Sequence, residues 1–282
     1  MILVETRIDL RRALEEPRSR GDRIGLVPTM GYLHEGHLSL VSLARNESDF
    51  LAASIFVNPL QFGPEEDLEA YPRDLDRDLA LLEDRGVDLV FHPSVDEMYP
   101  LGSPLVTVDP GPMARVLCGA YRPGHFRGVL TVVARLFGLI RPHLAVFGRK
   151  DYQQGVLVRR MCRDLEMEVE VLLGPIVREA DGLAMSSRNS YLDSREREEA
   201  SGLHRALEKA RAAFREGERG AESLRAVLEE ELRAYPSLSL QYGEVVHPET
   251  LKPVNPVMPG SVMAVAAFCG RTRLIDNLIL GA

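Results

Sequence analysis

The sequence predicts an α/β fold: a doubly wound parallel sheet followed by a smaller α+β domain. Three observations carry this expectation. Strand-like and helix-like segments alternate up to about residue 175. Residues 50–57 form a near-continuous apolar run, as expected of a strand covered on both faces. Beyond residue 180 the alternation gives way to charged helices and then strands.

Along the chain, residues 24–27 are a short apolar strand ending at Pro28, and residues 38–44 are helical in pattern. The strand at 50–57 follows. Leu68, Leu75, Leu79 and Leu82 predict a helix over 67–85, broken by Gly86, and residues 87–91 are the next strand. Leu130, Val133, Ala134 and Phe137 mark one face of a helix over 128–140, stopped by Pro142. A strand at 144–147, a helix at 152–165 and a strand at 169–173 complete the alternation. The domain boundary is expected near 174–180, dividing the chain into 1–176 and 177–282. Residues 194–234 read as two charged amphipathic helices broken around Gly217 and Gly220. Strands at 238–246 and 261–280 flank a turn rich in proline, with Pro248, Pro253, Pro256 and Pro259.

Composition bounds the function. The chain has 282 residues, 45% hydrophobic and 27% charged, with a formal net charge of −8. That balance excludes a disordered chain. No apolar run approaches the roughly 18–20 residues of a membrane span. The richest charge run, 194–233, sets nine Arg and Lys against ten Glu, a solvated helical face and not a groove for nucleic acid. The N-terminus turns charged at Glu5 and Arg7, too soon for a signal peptide. Cys118, Cys162 and Cys269 are few and widely spaced, as in a reducing cytoplasm. The expectations are a cytoplasmic protein with no membrane or nucleic-acid partner.

Three loops each follow a strand and precede a helix. In the first, 28–37, Gly31 and Gly36 allow close backbone approach. His34 and His37 then stand at a helix N-terminus, where amides and dipole favour an anion. Two imidazoles add donors for phosphate oxygens. The spacing is not the His-Glu-x-x-His of a zinc site, and no protein metal ligands are expected. In the second loop, 147–154, Asp151 is either a helix N-cap or an acceptor for ribose hydroxyls. Lys150 there is either a surface charge or a counter-charge to phosphate. In the third, 184–189, Ser186, Ser187 and Arg188 are either a polar turn or a phosphate clamp. Taken together, an early His-x-Gly-His and a late Met-Ser-Ser loop form the paired signature of nucleotidyl transfer at an α-phosphate.

Six stretches in order carry a resemblance. They are 27–37 (VPTMGYLHEGH), 56–62 (FVNPLQF), 71–73 (YPR), 122–128 (RPGHFRG), 148–154 (GRKDYQQ) and 185–189 (MSSRN). On these the chain resembles the pantoate–β-alanine ligases of the His-x-Gly-His nucleotidyltransferase superfamily. Arg149 departs from the pattern, which has an acidic residue there in most relatives. The resemblance implies a Rossmann-like catalytic domain and a C-terminal lid carrying the 185–189 loop. It implies Mg-ATP-dependent joining of (R)-pantoate to β-alanine through a pantoyl adenylate, with AMP and pyrophosphate released, in a homodimer without a tightly bound organic cofactor. Met30, Gly31, Tyr32, Leu33, His34, Glu35, Gly36 and His37 should then line the ATP site, with His37 as proton donor. Lys150, Ser186, Ser187 and Arg188 should stabilise the triphosphate, Gly148 and Asp151 should hold the nucleoside, Asp151 through ribose, Val177 should contribute to the adenine pocket, and Arg149 and Met185 should also line the ATP site. His37, His34, Lys150 and Arg188 are the expected catalytic groups. Gln61 and Gln154 should bind pantoate, Gln61 also β-alanine, with Asn58 and Tyr71 nearby. Val132 and Val133 either wall the gem-dimethyl group or pack in the core.

Two rival readings differ in kind. Another His-x-Gly-His enzyme, such as an aminoacyl-tRNA synthetase, needs a basic surface this chain lacks; a simple nucleotidyltransferase leaves AMP on its product. A non-catalytic nucleotide-binding protein is opposed by Lys150, both histidines and Arg188 all being present.

Overall fold

In a computed structural model of the chain, residues 1–64 and 66–281 are described. Strand β1 (Ile2–Val4) leads to Thr6, whose hydroxyl caps helix α1 (Arg7–Arg20) by accepting from the Asp9 amide at 3.1 Å. Sequence periodicity missed both elements. The strand has three residues, two of them exposed, and α1 buries only Leu10, Leu14 and Pro17.

Next come β2 (Ile24–Thr29), α2 (Glu35–Asn46), β3 (Phe50–Ile55), α3 (Leu75–Asp84), β4 (Leu89–Phe91) and the short α4 (Val95–Met98). The single turn α5 (Cys118–Tyr121) precedes α6 (His125–Ile140), β5 (Leu144–Gly148), α7 (Tyr152–Asp164) and β6 (Glu170–Gly174). The helix expected over 67–85 is confined to α3. Pro72 has no amide to donate, and Asp74 instead caps the helix, accepting from the Arg77 amide at 3.2 Å. Helix α6 begins at His125, three residues before the start expected at 128.

The six strands form one parallel sheet in the order β1-β4-β3-β2-β5-β6. After β2 the chain moves outward through β3 and β4, then returns to β5 on the other side of β2. The order therefore reverses between β2 and β5, the place where such sheets open a crevice beyond their carboxyl ends. Val27, Val41, Leu51, Ala53, Val90, Leu144 and Val146 form the core beneath it.

The described residues group into two compact units. One comprises Met1–Gly111, Arg122–Arg149 and Leu157–Pro175 and holds the parallel sheet; the other comprises Pro112–Tyr121, Lys150–Val156 and Ile176–Ala282. In the second unit α8 (Ser194–Ala200), α9 (Gly202–Arg215) and α10 (Ala221–Leu232) precede β7 (Leu238–Val246), β8 (Val262–Cys269) and β9 (Thr272–Ile279). These strands make an antiparallel β7-β8-β9 sheet. Leu203, Leu207 and Phe214 of α9 and Leu224 and Leu228 of α10 pack on Met263, Val265, Leu274 and Leu278. Two expectations are refined. The charged region folds as three helices, divided first at Ser201, and the apolar run 261–280 is a hairpin turning at Gly270 and Arg271.

Candidate active site

The loop after β2 is shaped by a buried carboxylate. Asp78 of α3, 1% exposed, accepts from the amides of Tyr32 at 2.6 Å and Leu33 at 2.7 Å. Burial pushes its carboxyl above the usual range, while those two amide bonds oppose the rise. Gly31 sits at φ +85°, and an added Cβ would lie 3.0 Å from Asp78 Oδ2, so glycine alone fits this turn. Thr29 ties the loop to the sheet: its hydroxyl donates to the Ser54 carbonyl at 2.8 Å and accepts from the Gly31 amide at 3.2 Å.

His34 then caps α2. Its Nδ1 accepts from the Gly36 amide at 3.1 Å, and His37 Nδ1 lies 3.4 Å from the His34 amide, a reciprocal box made of two imidazoles. The rings lie 4.1 Å apart, centroid to centroid, tilted by 36°. Because each Nδ1 accepts an amide hydrogen, a neutral ring carries its own proton on Nε2. The helix start thus presents two N–H donors along with its dipole, a combination suited to phosphate oxygens. Leu33 turns its side chain into the core, so only its backbone can serve a ligand. Glu35 is exposed and pairs with Arg85 at 3.2 Å.

Beside this loop, Gln61 is held from several sides. Its Nε2 donates to Met30 Sδ at 3.2 Å, its Oε1 accepts from Asn58 Nδ2 at 3.0 Å, and its carbonyl accepts from His125 Nδ1 at 2.8 Å. Asn58, 1% exposed, also donates to the Gly128 carbonyl at 3.2 Å and accepts from the Tyr99 hydroxyl at 2.8 Å. Arg122 donates to His125 Nε2 at 2.9 Å and grips Glu66 at 2.6 and 2.7 Å. Burial would raise the Glu66 carboxyl, but the Arg122 hydrogen bonds and charge and the Gly63 amide outweigh it and hold the group at about 2. Tyr71 is buried and meets Phe62 edge-on at 6.1 Å. Val132 and Val133 are both buried on α6 among core positions. Asp78, Tyr99 and Glu66 were missed by sequence reasoning, since a lone acid or tyrosine in a helix or loop gives no periodic signal.

In the second unit, Lys150 and Asp151 belong to the 3-10 turn Arg149–Asp151 that follows Gly148, the last residue of β5. Gln153, not Gln154, is the buried amide of the pair, and its Nε2 donates to the carbonyls of Met113 and Val116 at 3.0 and 2.8 Å. Gln154 is half-buried. The Met185 amide donates to the Val177 carbonyl at 3.0 Å, which aligns the chain entering Ser186. Ser186 caps the 3-10 turn Ser187–Tyr191, its hydroxyl accepting from the Arg188 amide at 3.3 Å. Asn189 donates to Glu179 at 2.7 Å and to the Ala184 carbonyl at 3.2 Å, closing the loop on itself. Among the described residues, no group of three or more His, Cys, Asp and Glu side chains is gathered to hold a metal ion.

Residues 2–279 match the sequence model of the family described as Pantoate-beta-alanine ligase. A pantothenate synthetase of Thermoanaerobacter sp. (strain X514) is 52% identical over 281 residues, covering 100% of this chain and 99% of the relative. One of Thermotoga petrophila is 51% identical over 281 residues, covering 100% of both chains. The crystal structure of the pantothenate synthetase from Thermus thermophilus superposes with a TM-score of 0.94 at 51% identity, covering 100% of each chain. A pantoate-beta-alanine ligase from Francisella tularensis, complexed with beta-gamma ATP and beta-alanine, gives a TM-score of 0.82 at 33% identity, over 100% of this chain and 98% of that one.

Proposed function

This chain belongs to the pantoate-beta-alanine ligase family, and from that premise we infer that it joins (R)-pantoate to β-alanine at the expense of ATP. A carboxylate oxygen of pantoate attacks the α-phosphate, and the bond to pyrophosphate breaks. The β-alanine amine then attacks the acyl carbon of pantoyl adenylate, loses a proton and expels AMP. Adenylation is needed because a bare carboxylate has no good leaving group.

The observation that best supports this reading is the pair of histidines capping α2 through Nδ1, which leaves each neutral ring its proton on Nε2. In the proposed assignment, Met30–His37 lines the ATP site, and both histidines donate to phosphate with His37 as proton donor. Donors aimed at developing charge are worth about 3 kcal/mol each. Lys150, Ser186, Ser187 and Arg188 stabilise the triphosphate and the departing pyrophosphate, with Met185 beside them. Gly148 and Asp151 hold the nucleoside, Val177 contributes to the adenine pocket, and Arg149 lines the ATP site. Gln61 and Gln154 are assigned to pantoate, Gln61 also to β-alanine, with Asn58 and Tyr71 as further candidates for substrate binding.

In the proposed assignment Mg²⁺ enters with ATP, whose phosphate oxygens and bound water would hold it. The remaining parts of the proposal are a cytoplasmic homodimer and a division into a catalytic domain, 1–176, and a C-terminal domain, 177–282. The last residue of that domain, Ala282, lies outside the described residues. No described helix is long and apolar enough to cross a membrane.

The test is product release from Mg-ATP. Pyrophosphate formed with pantoate alone, with AMP and pantothenate following only when β-alanine is added, is the expected result. ADP as the product, or AMP release that ignores pantoate, would refute the reading.

A further inference from the structure

Strand β9 places two buried polar residues side by side, Asp276 and Asn277, each 3% exposed. Neighbours on a strand point to opposite faces. Asp276 lies between the core residues Leu274 and Leu278 on one face, and Asn277 lies on the other. A polar pair in the interior of a small domain costs stability unless each member has partners.

Asn277 Nδ2 donates to the backbone carbonyl of Lys150 at 2.9 Å. Asp276 grips Arg178 with both oxygens, at 2.6 and 3.0 Å, and also accepts from the Asn277 amide at 2.7 Å. Arg178 in turn donates to the Gly182 carbonyl at 3.0 Å and pairs through its backbone with Ala184. The Glu179 amide donates to the Leu183 carbonyl at 2.8 Å, and the Met185 amide to the Val177 carbonyl at 3.0 Å. This short ladder delivers the chain to Ser186, Ser187 and Arg188. Two adjacent residues of one strand therefore fasten both loops of this unit that carry the phosphate-handling groups, one from each face.

We propose that Asp276 and Asn277 are a positioning pair for adenylation: Asn277 fixes the Lys150 turn, and Asp276, through Arg178, fixes the 186–188 loop. The proposal rests on reading Lys150 and Ser186–Arg188 as triphosphate ligands. It adds residues that touch no substrate and act through backbone placement. The rigid strand is a suitable anchor, because a small misplacement of a charged donor costs rate steeply.

The test uses the full-length chain. Asn277→Ala is expected to slow pantoate-dependent exchange of pyrophosphate into ATP by about 10-fold or more. Attack of β-alanine on added pantoyl adenylate, which needs no triphosphate contact, should change by less than about twofold. In a Lys150→Ala background, adding Asn277→Ala should cost exchange less than about a further twofold, because the group it positions is gone. Asp276→Asn, which keeps shape and removes charge, supplies a second variant should the first not fold, and should show the same selective loss. Equal losses in both half-reactions, or losses that multiply fully in the double variant, would overturn the proposal. An unmodified chain without pantoate-dependent exchange would instead overturn the functional reading and, with it, this proposal.

Discussion

At the residue scale, the two histidines are defined by what their Nδ1 atoms accept. Replacing His37 with Ala removes one donor at the helix start and one half of the capping box. Adenylation is expected to fall at least about 100-fold in His37→Ala, and likewise in Lys150→Ala, with the far-UV circular dichroism unchanged. Near-normal pyrophosphate exchange in either variant would remove the assigned role. Asp78 tests the loop itself. Asp78→Asn turns one acceptor into a donor facing the amides of Tyr32 or Leu33. The expected outcome is a loss of about 2 kcal/mol in denaturant unfolding and a drop in exchange of about 10-fold or more. Unchanged activity would show that the loop holds its shape without this carboxylate. His34, His37 and Lys150 could be singled out in the sequence because their residue types sit in short motifs beside glycine. Asp78 could not. Its neighbours Arg77 and Leu79 read as an ordinary amphipathic helix, and only the three-dimensional meeting of α3 with the 31–33 amides reveals its task.

At the element scale, α6 approaches the Pro59–Gln61 turn so closely that only Gly128 fits. A Cβ at that position would lie 2.1 Å from the Leu60 carbonyl oxygen. Gly128→Ala must push the turn away and carry Gln61 with it. The apparent KM for pantoate is expected to rise several-fold more than the KM for ATP, and Gln61→Ala should show the same order; the reverse pattern would move Gln61 out of the acid pocket. The same turn is clamped by Glu66, Arg122 and His125. Glu66 is held at about 2 in the folded chain against an ordinary 4.5. Its contribution is therefore fully present above about pH 4.5 and is lost as pH falls toward 2. Glu66→Gln should be less stable than the unmodified chain at pH 6 by about 2 kcal/mol, the worth of a hydrogen bond to a charged group. That gap should close between pH 4.5 and pH 2. A gap independent of pH would show that packing, not charge, holds the turn. The strands at 24–27, 50–57 and 144–147 were legible as apolar runs. The helix limits were less so, because Pro72 and the Asp74 cap override the leucine spacing that began at Leu68.

At the scale of the whole molecule, a parallel sheet whose strand order reverses at β2 and β5 sets the first unit's site, and the antiparallel sheet of the second unit anchors its own loops. The class of fold was visible in the alternation of elements. The discontinuous membership of the second unit was not, since residues 112–121 and 150–156 join it through contacts distant in sequence. Motif order carried the family, because six stretches between residues 27 and 189 occur in the order the resemblance requires. The supporting residues on β9 lie in a stretch that reads only as a strand, with Asp276 and Asn277 interrupting its apolar residues. Attack at the α-phosphate is the central step of the proposed reaction, and isotope transfer examines it directly. With pantoate labelled by ¹⁸O in both carboxylate oxygens, turnover with ATP and β-alanine should yield AMP carrying one labelled oxygen on phosphorus and pantothenate retaining the other. Label appearing in inorganic phosphate with ADP, or AMP free of label, would contradict an adenylate and the site built around it.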